Sequence, residues 1–280
     1  MMEPRIVAND EGEHRSLTIR ARKGALESAQ RLLGVPDGFE PAGRPLPVIV
    51  APNATPLADL VNDGWARDDD GGTELRAMLV AAALLELFPQ QVARLERKDA
   101  EGLTLRVFTA ADGIGMERSA VGGGDDEITM FHAADLGDRI IERSALPVLA
   151  VSTPGTISMP AELLPAIAQC VDQGKSDDAV NLLVAEAGAE TATASGFVQA
   201  LVTQTSSSTL QVMRADHGKP RHMTEVRWID GGDAGLWWVR PVLSDSGVPL
   251  IAVGSISGER LRSQLSDLVN RTRATSNGSS

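Results

Sequence analysis

Cysteine is almost missing from this chain. Cys170 is the only one in 280 residues, so no intrachain disulfide can form and no cysteine set can hold zinc. It falls on the apolar face of a helical pattern, where a free thiol normally acts as a small buried hydrophobe. Tyrosine is absent and aromatics make up 3% of the residues. Lysine occurs only at Lys23, Lys98, Lys175 and Lys219; with the many alanines, this arginine-biased usage suggests a GC-rich coding background such as that of actinobacteria. Basic residues are outnumbered 26 to 38, giving a net charge of −12. Phosphate recognition needs concentrated Lys and Arg, so nucleic acid is not an expected partner. Long apolar runs are missing too: the longest, Met78 to Leu85, is far short of the roughly 20 residues that span a bilayer. Met1–Arg15 is acidic and polar without the apolar core of a secretory signal. No membrane span is expected, and the expected location is cytoplasmic.

Catalytic constellations are also missing. Gly122-Gly123-Gly124 lies between two strand-like runs and opens no helix, so it reads as a hairpin turn and not as a phosphate loop. Asp68-Asp69-Asp70 and Asp125-Asp126 lack the alternate spacing and terminal Glu of a calcium loop. His14, His132, His217 and His222 are scattered; only His217 and His222 flank one turn, with no acidic third ligand near them in sequence. Ser206-Ser207-Ser208 has no nucleophile-elbow setting. No catalytic residue, metal or cofactor is expected, and the chain reads as a non-enzyme.

What the sequence does contain is an internal echo. Ser16–Arg20 followed by Leu26, Ala29, Leu32 and Leu33 looks like a strand leading into a helix. Gly155–Met159 followed by Leu163, Leu164, Ile167, Ala168 and Val171 has the same layout. In the first half a proline-dense stretch follows, Gly34 to Pro56, with room for a short edge strand at Leu46–Val50. A helix is expected over 73–88, capped by Thr73. Strands are expected at Val92–Arg97, Leu103–Phe108, Ile114–Val121 and Glu127–His132, with Asp112-Gly113 as a strong hairpin signal. A helix over Asp135–Ser144 and a linker at Val148–Pro154 close that half.

The second half has a helix expected from Pro160 to about Asp172, then helices at Asp177–Ala187 and Thr193–Thr203. Ser206-Ser207-Ser208 opens the sheet. Strands are expected at Leu210–Arg214, Thr224–Asp230, Leu236–Val242 and Pro249–Val253, and a last helix is capped by Ser257. Meandering strands pair antiparallel. The expected fold is α+β: two pseudo-symmetric halves, 16–147 and 155–270, sharing a central antiparallel sheet with helices at its flanks. Residues 1–15 read as a flexible arm and 271–280 as a disordered tail.

Three of the four tryptophans fall in one hairpin. Strand alternation puts Val226 with Trp228 on one face and Glu225, Arg227 and Ile229 on the other. Trp237 and Trp238 must likewise point to opposite faces, with Trp238 beside Leu236 and Arg240. Either helices cover both faces, or one face stays partly open with tryptophan and arginine available to a partner; a Trp stacking on carbohydrate is a weaker third reading.

Gly196-Phe197, the run from Arg221 to Trp228-Ile229-Asp230, Gly235–Val239, Leu250–Val253 and the closing helix resemble the C-terminal part of the EspG family of ESX (type VII) secretion-associated proteins of actinobacteria. Likeness at residue level is concentrated in about 196–270, and this chain has Gly235-Leu236-Trp237 where the family commonly has Gly-Arg-aromatic. The resemblance implies two quasi-symmetric halves, a central antiparallel sheet and flanking helical bundles. It also implies a cytosolic chaperone that binds the tip of PE–PPE heterodimers. The partner would then contact the sheet face and the second helical bundle, with Gln211, Met213, Arg227, Trp228, Trp238 and Arg240 as contact residues. Beside that reading stand an enzyme or small-ligand sensor with a pocket between the halves, and a structural homodimer.

Overall fold

The computed structural model describes residues 6–9, 16–33, 57–69, 72–121, 123–148, 155–216, 219–243 and 247–274. Its N-terminal half carries strands β1 (Ile6–Asn9) and β2 (Ser16–Arg22), helices α1 (Ala25–Leu32) and α2 (Leu57–Asn62), a small hairpin of β3 (Ala66–Asp69) and β4 (Gly72–Leu75), and helix α3 (Ala77–Leu87). The meander β5 (Gln91–Asp99), β6 (Gly102–Ala111), β7 (Ile114–Val121) and β8 (Asp125–His132) follows, then helix α4 (Leu136–Arg143). The C-terminal half begins with β9 (Thr156–Pro160) and helices α5 (Leu163–Asp172), α6 (Ser176–Ala187) and α7 (Thr191–Val202). A second meander of β10 (Ser206–Asp216), β11 (Lys219–Asp230), β12 (Leu236–Leu243) and β13 (Pro249–Ile256) leads to helix α8 (Gly258–Ala274).

Apart from the β3–β4 hairpin, the strands join one antiparallel sheet of 11, ordered β1-β2-β8-β7-β6-β5-β10-β11-β12-β13-β9. The meanders follow from their turns. Asp112 and Gly113 have φ of 50° and 85°, the pair of positive values that a tight two-residue hairpin requires. The halves meet where β5 and β10 pair in register from Gln91↔Arg214 to Asp99↔Ser206. Outward from that seam each meander runs to its last strand, and beyond it lies the strand that precedes the first helix of its half, β2 on one side and β9 on the other.

Pleat alternation sorts the core into layers. On one face α4 and α8 cover the centre: Leu136, Ile140, Leu261, Leu265 and Val269 pack on Ala93, Phe108, Leu210, Val212 and Trp228. On the other face two separate groups of helices sit toward the ends. Helices α1, α2 and α3 cover Ile19, Met116 and Ile128, and α5, α6 and α7 cover Ile157, Trp237, Val239 and Val253. Two adjacent residues of β7 anchor opposite layers through buried charge. Glu117 accepts from Arg106 Nη1 at 2.6 Å and from Arg143 Nε of α4 at 2.9 Å. Arg118, on the reverse face, binds carboxylates of α1, α3 and β8.

Several expectations are corrected. Residues 6–9, expected within an arm lacking regular structure, form an edge strand with Ile6 opposite Ile19; Ile6-Val7-Ala8 supplies enough apolar, β-branched character to extend the sheet. Thr73 caps no helix: Asp68↔Thr73 pairing makes it part of a hairpin. The helix starts only after Arg76, whose amide donates to Trp65 O at 2.9 Å and whose Nε donates to Gly64 O at 2.6 Å. Pro160 ends β9 instead of opening a helix. As the last residue of an edge strand its missing N–H costs no ladder bond. Helix α8 continues to Ala274, beyond the expected boundary at 270. The edge strand proposed at Leu46–Val50, His217, the linker residues 149–154, Gly122, the turn at Asp245-Ser246 and residues 275–280 lie outside the described residues.

Candidate partner-binding face

Between the two helix groups, on the face opposite α4 and α8, the middle of the sheet carries a strip of polar and half-exposed side chains. Register builds it row by row. Arg94 of β5, Gln211 of β10 and Glu225 of β11 stand in line across three strands. The next row is Glu96, Thr209 and Arg227, continued by Leu105 of β6 on one side. Gln211 Nε2 donates to Glu225 Oε2 at 2.6 Å, and Arg227 Nε donates to Glu225 Oε1 at 2.5 Å. Glu225 is thereby fixed from both sides, while Arg227 remains exposed. Arg94 pairs with Glu96 through Nη2, and its Nε is buried without a hydrogen-bond partner. One end of the strip is apolar: Val92, Val107, Met213 and Ala215 are buried against one another, with Leu105 beside them.

The six sequence-predicted residues divide between the two faces. Gln211, Met213 and Arg227 belong to the strip, but Met213 is only 1% exposed and serves its packing. Trp228, Trp238 and Arg240 lie on the reverse face. Trp228 is 2% exposed beneath the α4–α8 layer. Trp238 is half-buried at the margin of that layer, and the Arg240 guanidinium lies 4.6 Å from its ring centroid. Trp237 faces the strip's side of the sheet but is fully covered, its ring centroid 5.4 Å from that of Phe197 on α7. The alternation of Val226, Trp228, Trp237 and Trp238 therefore holds as read, while the helix layers bury Trp228 and Trp237 and leave Trp238 half-buried.

Sequence reasoning missed Arg94, Glu96, Thr209 and Glu225. Their strands and alternation were readable, and the β10–β11 hairpin sets Glu225 opposite Gln211, but the β5–β10 pairing that adds Arg94 and Glu96 joins residues more than a hundred positions apart, and no local signal carries that register. Among the described residues no group of three or more His, Cys, Asp or Glu side chains is placed to hold a metal ion, and no helix is long and apolar enough to cross a membrane. His132 serves a local role, its Nδ1 accepting from Ala134 N at 3.2 Å. Cys170 is half-buried against the α5–α7 core.

The arrangement is that of an α+β protein with a broad, partly open antiparallel sheet between two helical groups. The fold is similar to that of one solved structure, the Mycobacterium tuberculosis type VII secretion system chaperone EspG5 in complex with the PE25–PPE41 dimer. The likeness covers 91% of this chain and 96% of that one, with a TM-score of 0.60 and 13% sequence identity. No family model and no curated protein matches the sequence.

Proposed function

We propose that this chain is a non-enzymatic cytoplasmic chaperone of the EspG type that binds PE–PPE-like helical dimers of a type VII secretion system. The observation that carries the reading is the nearly end-to-end likeness to a chaperone whose structure was solved with such a dimer. Sequence motifs over about 196–270 had suggested the same family independently. The matching strand order on either side of the β5–β10 seam supports a duplicated unit whose halves are related by a pseudo-twofold axis.

The open strip is the binding surface in this reading. Its centre offers donors and acceptors in Arg94, Glu96, Gln211, Glu225 and Arg227, and one end is apolar. The helix groups on either side leave a trough in which a helical tip can bury apolar surface while meeting those polar groups.

Co-expression with PE–PPE pairs encoded near its gene, followed by size-exclusion chromatography, tests the proposal. Co-elution with one pair is expected. Arg227→Glu combined with Gln211→Ala weakens binding by about tenfold or more, the scale of one lost hot spot. Arg240→Ala, on the reverse face, leaves binding within about twofold of the parent. Failure of every nearby pair to co-elute would sink the function. Co-elution that responds to Arg240 but not to Arg227 would move the site to the other face.

A further inference from the structure

Strand β11 loses one of its two neighbours part-way along. β10 pairs with it from Asp230 to Lys219, but β12 pairs with it only from Asp230↔Leu236 to Arg227↔Val239. Beyond that point β12 goes on pairing with β13 as far as Leu243↔Pro249. The β11–β12 ladder does not resume where Met223 would stand opposite Leu243, so the two strands diverge and leave a notch inside the sheet.

A proline explains where the notch opens. Gly231 N donates to Gly235 O at 2.9 Å, and Asp230 O accepts from Thr205 N on the β10 side at 2.8 Å. Backbone groups alternate in direction along an antiparallel strand. Those of Ile229, Arg227, Glu225 and Met223 therefore point toward β12, and those of Trp237, Val239, Pro241 and Leu243 toward β11. Glu225 and Pro241 would form the next hydrogen-bonded pair. Pro241 has no N–H to donate, and the ladder stops at the preceding such pair, Arg227↔Val239.

The N–H and C=O groups of Met223 and Glu225 thus form a short strand edge with no ladder partner on the β12 side among the described residues. Such an edge is a template for another extended chain. The side chains around it define what that chain carries. On the face of the polar strip, Met223 and Leu243 flank the gap, 54% and 72% exposed, and suit apolar side chains. On the reverse face Arg240 is exposed, its guanidinium resting on the Trp238 ring and paired with no carboxylate among the described residues. In a chain of net charge −12, a cation left without an ion pair favours an acidic side chain on the partner.

We propose that this notch receives an extended segment of a partner protein. The segment runs in the direction of β12 and pairs antiparallel with β11 at Met223 and Glu225. Residues directly opposite one another in an antiparallel pair share a face, so its apolar side chains lie between Met223 and Leu243 and its acidic ones turn toward Arg240. The notch is a property of the strand edge and stands apart from the helical dimer proposed for the strip.

Amide hydrogen exchange by NMR on the full chain, without and with a blocked hexapeptide alternating valine and glutamate, tests it. In the free chain the amides of Met223 and Glu225 are expected to exchange at least about tenfold faster than those of Thr224 and Val226, which point to β10. The peptide slows the first two by about tenfold or more and leaves the outer strands β1 and β9 unchanged. N-methylation of its valines, whose N–H groups face β11 in this register, removes the effect; N-methylation of its glutamates does not. Lysine in place of glutamate weakens the peptide several-fold. Pro241→Val supplies the missing donor and closes the ladder, so that Met223 and Glu225 are protected without peptide. Equal exchange of all four amides in the free chain, protection at β1 or β9 instead, or indifference to valine N-methylation would each overturn the proposal. So would protection of Met223 and Glu225 that grows with protein concentration alone, which would give the notch to a second copy of this chain.

Discussion

Gly254 gives Trp238 room that no other residue would leave. The two are cross-strand partners, and a Cβ built on Gly254 would meet the indole at 2.6 Å. The same device recurs in the other half, where a Cβ on Gly115 would meet the Phe131 ring, its register partner, at 2.4 Å. Bare backbone lets an aromatic ring lie flat across the neighbouring strand. Gly254→Ala therefore overpacks the site and is expected to cost about 1–3 kcal/mol, measured by urea unfolding, with a shift in tryptophan emission as Trp238 is displaced. At this scale the sequence was informative about direction but silent about cover. Alternation placed Trp237 and Trp238 on opposite faces correctly; whether a helix lay over each depended on chain remote from the hairpin. The polar strip shows the same limit, since Arg94 and Glu225 become neighbours of Gln211 only through pairing on both sides of β10.

Elements formed where local chemistry was unambiguous. Ser257 caps α8 as its sequence setting suggested, its Oγ accepting from Arg260 N at 3.2 Å. Ser257→Ala should cost about 0.5–2 kcal/mol and speed exchange of the first-turn amides of α8, observable by NMR; an unchanged first turn would mean that packing of Leu261 alone holds it. Asp112-Gly113 made the expected hairpin because its backbone can adopt positive φ at both positions. Local chemistry misled at Thr73 and Pro160, where two signals competed. The ladder from Ala66↔Leu75 to Asp69↔Gly72 drew the segment around Thr73 into a hairpin, and the ladder to β13 held Pro160 in a strand. In both cases a backbone ladder outweighed a helix-start preference, which is a weak prior.

As a whole molecule the protein depends on its seam. Strands β5 and β10 join the halves, and on one face α4 and α8 belong to a single core that draws residues from both. Neither half is expected to persist as a folded monomer. Residues 16–148 or 155–274 expressed alone would bare a seam strand, a template for pairing with another chain, together with the apolar floor beneath the missing helix. Size-exclusion chromatography with circular dichroism should find aggregates or seam-paired dimers; a stable monomeric half would show that the halves are independent domains. The polar strip between the two helix groups likewise exists only in the joined sheet, which ties the proposed binding surface to that seam.

The sequence by itself determined the α+β class, the two meanders, the alternation of faces and the lack of any local catalytic or metal-binding motif. Each rests on periodicity, turn chemistry or composition within a few residues. Tertiary structure alone decided that β5 and β10 form the seam of the shared sheet and that Trp228 and Trp237 are core. It also decided which polar side chains gather on the open strip, and that Arg118 meets three carboxylates from three elements. Those outcomes depend on long-range register and on competition among helices for the two faces of the sheet, neither of which is written in any local stretch of chain.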